Sequence, residues 1–301
     1  MDTKTLRLFI LASERLNISA AGRELGMAPA VASTRIAKLE HLLGVELLHR
    51  STRKVSLSSE GQDFLPYARD IIAREEAALA ALGKGQTKIS GRLCFAAPSS
   101  FAQIYIAPLL PMFMDAHPDL TLDLHLSDAQ YNLIEGSYDL ALRNSVLEDS
   151  SLTARKLADD KRILCASPSY LERQGVPQSP DDLKVHRLIG FRNLEPTGLV
   201  SGSGEVAEFA PKQAAHRMVL NDGMTQKKAT LAGAGISINS LWLVHDEIAS
   251  GKLIQVLPDH TVANSPNLWL IYPKSNVVSA KVRVLIDFLI QHIGIRPAWL
   301  T

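Results

Sequence analysis

No apolar run in these 301 residues approaches the roughly 18 that a membrane-crossing helix needs, so a spanning membrane protein is excluded. Cysteine is almost absent: Cys94 and Cys165, far apart and each inside an apolar run, exclude a disulfide scaffold and a four-cysteine zinc site. Buried inert thiols are the expected reading of both, with a redox-reporting role as the alternative. Nine histidines occur without an HExxH or His-x-His spacing, so no metal site is expected. A GxSxG nucleophile elbow is missing too. Gly233-Ala234-Gly235 follows a helical pattern and lacks a third glycine, which reads as a helix end and not as a nucleotide loop. No cofactor and no catalytic group emerge from this inventory. The first residues, Met1 to Arg7, begin an amphipathic stretch without a signal-peptide core, and the expectation is a cytoplasmic chain.

What is present is globular: 46% hydrophobic and 21% charged residues, in a length that calls for two or three modules. The formal net charge of +1 hides an asymmetry. Residues 1–58 carry nine Lys/Arg against five Asp/Glu, residues 59–88 four against five, and the remainder nineteen against twenty-one. A small basic head on a weakly acidic body suits a polyanion-binding module joined to a body with another task.

The head reads as three helices and a ribbon. Leu6, Phe9 and Ile10 mark a first helix with Asp2 or Thr3 as cap. Ser19 is the expected cap of a short second helix, Ala20 to Leu25. Gly26-Met27-Ala28 breaks the chain, and Pro29 opens a third helix running to about Leu43. Gly22 and Ala32 are small enough to let two helices cross closely, which gives a helix-turn-helix. Opposite the Ala32/Ile36/Leu39 stripe, the third helix presents Ala30, Ser33, Thr34, Lys38 and His41, with Arg35 on the flank. That face suits a major groove, and equally an ordinary solvated helix. The basic hairpin His49 to Ser58 then decides for DNA, because a wing placed there reaches phosphates or the minor groove.

Leu8-Phe9, Ala20-Ala21, Ala28 to Ser33, Ile36 to Glu40, Leu43-Gly44-Val45, Leu47 to Arg50 and Leu57 to Gly61 together resemble the LysR-type transcriptional regulators. Arg50 to Lys54 and Leu164 to Leu171 look like the CrgA-like branch of that family. The chain departs from the family pattern at Ala28, usually Ser, and at Thr34, usually Arg, so Arg35 is expected to take the basic role.

Residues 59–88 read as a linker: Ser58 or Ser59 caps a helix from about Glu60 to Leu82, and Gly83 to Lys88 forms a hinge. Leu65, Ala68, Ile72, Leu79 and Leu82 line one side of that helix. Such a stripe needs cover, either from its own domain or, as the resemblance favours, from a second subunit. From Gly91 strands and helices alternate: strands over 93–97, 120–126, 138–142, 162–166, 188–191, 216–220, 235–238 and 268–272, with helices over 100–116, 129–135, 170–174, 224–232 and 280–293. Gly198 to Glu205 reads as a mobile surface loop. The fold class is α/β, and the resemblance implies a periplasmic-binding-protein-like effector domain over 89–301. Lobe 1 would take about 91–161 and 268–301, and lobe 2 about 162–267.

Ligands in such sheets bind beyond the carboxyl ends of strands, between lobes. The expected effector residues are Ser99, Ser100, Phe101, Ser127, Arg143, Asn144, Phe191, Asn221 and Met224. The two serines and the helix amides after them would suit a carboxylate, and Arg143 a charge-assisted contact. The alternatives are plain: serine at such a junction is commonly a cap, and Arg143 has Asp139 and Glu148 to pair with.

The reading is thus a winged helix-turn-helix over 1–58 that binds double-stranded DNA and a body that senses a small molecule. Phosphate contacts fall to Arg50, Arg53, Lys54 and the helix end near Ser19, and base discrimination to Pro29, Ala30, Ser33, Thr34 and Arg35, with Lys38 and Thr52 as further DNA-binding residues. The resemblance implies self-association to dimers, with tetramers or larger beyond, and RNA polymerase as a further partner. A rival reading, an enzyme or solute carrier whose head only dimerises, is opposed by the basic wing and by the missing catalytic constellation.

Overall fold

The computed structural model describes residues 2–50, 55–81, 89–128, 138–145, 152–191, 196–214, 216–273, 278–295 and 297–300. The chain divides into two compact units, one built on Met1–Gly91 with two short later segments, the other on Arg92–Tyr131, Tyr138–Pro273 and Leu285–Thr301.

In the first unit, α1 (Thr3–Arg15) is capped by Asp2, whose Oδ1 accepts the Thr5 amide at 2.8 Å. α2 (Ile18–Glu24) is capped by Asn17, whose Oδ1 accepts the Ala20 amide at 2.9 Å. The expected cap, Ser19, sits inside the first turn instead; Asn17 is preferred because its extended backbone (φ −159°) aims the side chain back at the helix amides. Gly26, at φ +69°, makes the turn into α3 (Pro29–Leu43). Strands β1 (Leu48–Arg50) and β2 (Val55–Leu57) form an antiparallel ribbon that pairs Leu48 with Leu57 and Arg50 with Val55. The ribbon is anchored to α1 by the Val55 amide on Leu16 O, at 3.1 Å.

The long helix α4 (Ser59–Ala81) starts at Ser58, whose Oγ accepts the Gly61 amide and donates to Glu46 O. One core gathers Leu6, Leu8, Phe9, Ala12, Ile18, Ala21, Ala32, Ile36, Leu39, Leu47 and Leu48 with Leu65, Ala68 and Ile72 of α4. That finding corrects the expected dimer seam: Leu65, Ala68 and Ile72 are buried within their own unit, where Phe64 also meets Phe9 at 5.7 Å between ring centroids. Ion pairs fix the same face, Arg7 on Glu75 at 3.2 Å and Arg69 on Glu14 at 3.0 Å. Leu79 remains 40% exposed, and Leu82 lies outside the described residues.

The second unit holds two mixed sheets. The first has the order β4-β3-β5-β15-β6, from β3 (Gly91–Ala97), β4 (Leu120–Leu126), β5 (Leu140–Ser145), β6 (Leu152–Asp159) and β15 (Asn267–Pro273). The second has the order β11-β8-β12-β7-β13, from β7 (Arg162–Ala166), β8 (Arg187–Phe191), β11 (His216–Leu220), β12 (Ile236–Ser240) and β13 (Ile254–Gln255). β3 runs parallel to β5, and β8 parallel to both β11 and β12, while β15 and β7 supply antiparallel pairings. Helices α7 (Pro168–Gln174), α8 (Gly223–Leu231) and α9 (Leu241–Ala249) belong to the second lobe, and α10 (Ala280–Leu289) follows β15.

Two expectations are corrected here. The segment 100–116 is not one regular helix: a short α5 (Ser99–Phe101) passes into π and 3-10 turns before α6 (Leu110–Ala116). Pro108 and Pro111 explain this, since each removes a backbone donor and crowds the preceding turn. Gly198 to Glu205 is a loop only in part, because Gly198 to Ser201 belong to β9 (Thr197–Ser201), which pairs antiparallel with β10 (Val206–Phe209) and with β14 (His260–Val262), and 202–205 make the turn into β10. The expected helix over 129–135 lies outside the described residues.

Candidate nucleic-acid face and inter-lobe cleft

Burial of Ala32, Ile36 and Leu39 turns the opposite side of α3 outward. Pro29, Ala30, Thr34, Lys38 and His41 are exposed there, and Ser33 is half-buried. Thr34 spends its hydroxyl proton on Ala30 O at 2.9 Å. Arg35 departs from expectation. Its guanidinium turns to the start of α1, 3.4 Å from Asp2 Oδ1 and 3.4 Å from Thr5 Oγ1, and so braces two helices. The Thr5 amide, and behind it Arg35, hold the Asp2 carboxyl below its ordinary range. Two apolar side chains that the sequence reading passed over also stand outward on α3, Val31 at 48% and Leu42 at 62% exposure. Their signal was available, as apolar residues off the packing stripe. The side chain of Arg50, and Thr52, Arg53 and Lys54 entirely, lie outside the described residues. Glu40 positions the ribbon, its Oε1 accepting the amides of Leu47 and Leu48 at 3.1 Å each.

In the second unit Ser99, Ser100 and Met224 come together, around a strand-end residue that is not among the expected effector residues. The carboxylate of Asp128, just after β4, accepts the Ser99 amide on Oδ1 at 2.9 Å and the Gly223 amide on Oδ2 at 3.2 Å. Ser100, buried, accepts the Met224 amide on Oγ at 3.0 Å. Ser99, Ser100 and Asp128 belong to the first lobe, Gly223 and Met224 to the second. Asp222 caps α8 by accepting the Thr225 amide, and its side chain reaches Asp128. Burial pushes the Asp128 carboxyl above the usual aspartate value, and Asp222 adds to the rise. The only sequence signal was an aspartate at a strand end, which is commonplace.

Other expected effector residues have different employment. Phe101 is fully buried in a ring cluster, 5.1 Å from Trp242 and 5.9 Å from Trp299 between centroids. Tyr105 joins that cluster and donates its Oη proton to Trp242 O at 2.6 Å, which ties the lobes a second time. Asn144, at the end of β5, donates to Asp160 Oδ2 at 2.9 Å. Asp160, buried where the chain crosses between lobes, also accepts from Ser240 Oγ at 2.8 Å, and burial raises its pKa against the pull of Arg162. Arg143 is half-buried within β5, opposite Trp269 of β15, and not beyond the strand end as expected, whereas Phe191 ends β8 and Asn221 follows β11; Ser127 donates its amide to Ala97 O.

The remaining chemistry is quiet. Both cysteines are buried thiols outside any disulfide, and the Cys165 thiol is pushed up to about 11 by burial. Among the described residues no group of three His, Cys, Asp or Glu is gathered for a metal, and no helix is long and apolar enough to cross a membrane.

Comparison with known proteins gives a consistent answer. Residues 3–62 match the family described as bacterial regulatory helix-turn-helix protein, lysR family, and residues 86–294 match the LysR substrate binding domain. An HTH-type transcriptional regulator of Xanthomonas campestris is 33% identical over 299 residues, covering 97% of this chain and 86% of that protein. The HTH-type transcriptional regulator CrgA of Neisseria meningitidis is 32% identical over 293 residues, covering 97% of each. The solved structure of CrgA superposes with a TM-score of 0.62 at 31% identity, over 98% of this chain and 99% of that one.

Proposed function

The chain belongs to the LysR family of transcriptional regulators, and from that membership we propose that it binds operator DNA through α3 and the ribbon and responds to a small carboxylate held between its two lobes. It is a regulator and not an enzyme. Pro29, Ala30, Ser33, Thr34 and Lys38 would face the major groove, joined by Val31. Arg50, Thr52, Arg53, Lys54 and the start of α2 near Ser19 would hold phosphates. Paired heads would come from self-association, with Leu79 the exposed part of the α4 stripe. RNA polymerase and a cytoplasmic location fit the same reading.

The observation that carries the effector reading is the carboxylate already seated between the lobes. Asp128 satisfies one amide from each lobe, and these two bonds favour its anion against the burial and the Asp222 charge that oppose it. A seat that accepts an aspartate side chain has the donors and spacing for another carboxylate. The test is a duplex selected from random sequence by the full-length protein, with affinity and footprint measured in mono- and dicarboxylates, amines and sugars. The expectation is that carboxylates alone move the footprint or the affinity. A response confined to uncharged or cationic compounds would overturn the effector reading and leave DNA binding standing.

A further inference from the structure

The Asp128 contacts raise a question that the carboxylate reading leaves open, namely what an incoming anion would find. The Ser99 and Gly223 amides are committed to Asp128, the Met224 amide to Ser100 Oγ and the Thr225 amide to Asp222 Oδ1. No first-turn donor of α8 among these remains for a ligand. The clasp is also close: a Cβ on Gly223 would stand 3.3 Å from Ser100 Oγ, so the two lobes meet here in near contact.

We propose that Asp128 is a built-in occupant of the effector seat, which takes the place of a ligand carboxylate, clasps the lobes together, and must be displaced before an effector binds. This rests on the carboxylate reading above and adds the competitor that sets its threshold. A tethered group competes at an effective concentration on the millimolar scale or above. A bare monocarboxylate brings nothing that Asp128 lacks, so it loses to the tethered copy. An effector succeeds by adding contacts elsewhere in the cleft. Asp222 bears on both competitors. Its carboxyl lies beside Asp128, and like charge weakens the hold of the seat on the internal carboxylate and on an incoming one alike. Lys228 is the cation acting on Asp222 from the same helix.

The experiment compares full-length wild type with Asp128→Ala and the near-isosteric Asp128→Asn, titrated with sodium acetate and sodium succinate at matched ionic strength. Calorimetry and thermal shift are the readouts. Asp128→Ala should bind at least roughly tenfold more tightly than wild type, because the tethered competitor is gone. Asp128→Asn, which keeps the shape and one acceptor, should fall between them. It also serves if the alanine variant fails to fold. Equal affinities in all three proteins would overturn the proposal while leaving carboxylate sensing intact. No binding to any variant would sink both, since an emptied seat that takes no carboxylate is not a carboxylate seat.

Discussion

Gly22 in α2 and Ala32 in α3 leave no room for another atom between them: a Cβ on Gly22 would stand 2.6 Å from the Cβ of Ala32. The helix-turn-helix angle is therefore set by two small residues. Gly22→Ala should destabilise the head by about 1–3 kcal/mol through overpacking, and should weaken DNA binding by tilting α3. Adding Ala32→Gly should restore part of both losses. Urea melts of the single and double variants, read as a cycle, check the coupling.

Lys38 and Arg35 lie three residues apart on α3 with different surroundings. Lys38 is exposed, whereas Arg35 is committed to Asp2 and Thr5. Lys38→Ala should weaken binding to specific and random duplex alike and flatten the salt dependence by about one ion. Arg35→Ala should leave that slope unchanged and lower the melting temperature slightly, as loss of a surface pair worth at most about 1 kcal/mol does. Equal slopes for the two variants would return Arg35 to the DNA face.

Helix α4 divides its stripe between buried and exposed positions. Leu65→Ala opens a cavity in the head's own core and should cost about 2–5 kcal/mol. Leu79→Glu touches an exposed position and should leave the melt of the head nearly unchanged. If Leu79 belongs to a seam between copies, light scattering of that variant should show a smaller species. Unchanged mass would remove the stripe from the assembly altogether.

Periodicity and punctuation made much of this molecule legible. Pro29 and Gly26 mark the start of α3 because one fixes φ and the other supplies a left-handed turn, both local effects. Strands such as Arg162–Ala166 and His216–Leu220 announce themselves as short apolar or β-branched runs. Tertiary facts were not legible. The cover over Leu65, Ala68 and Ile72 depends on where α1 packs, and a stripe looks the same against one's own chain or another. Arg35 reads as a free cation until Asp2 is brought beside it. Asp128 needed the Gly223 amide from almost a hundred residues further on, a contact that no spacing rule anticipates.

Tyr170 and His186 supply a pH dependence whose sign follows from one proton. Tyr170 Oη accepts the Arg187 amide at 2.8 Å and lies 3.0 Å from His186 Nδ1, so its own proton is free to go to that nitrogen. His186 is then neutral, with its hydrogen on Nε2. Burial lowers its pKa below the ordinary 6.5, against a weaker opposing pull from Asp182. The unfolded chain therefore takes up this proton at a higher pH than the folded one does. The stabilising contribution is full above 6.5 and is lost as pH falls from there through the lowered value. Asp128 runs the other way, its raised carboxyl contributing fully below 3.8 and losing that contribution as pH rises through the raised value. Subtracting the melting curve of His186→Gln from that of wild type isolates the histidine. Wild type should lose stability more steeply below pH 6.5, and Tyr170→Phe, which removes the donor to Nδ1, should reduce the difference. Parallel curves would mean that His186 stays solvated and takes up its proton as freely in the folded protein as in the unfolded chain.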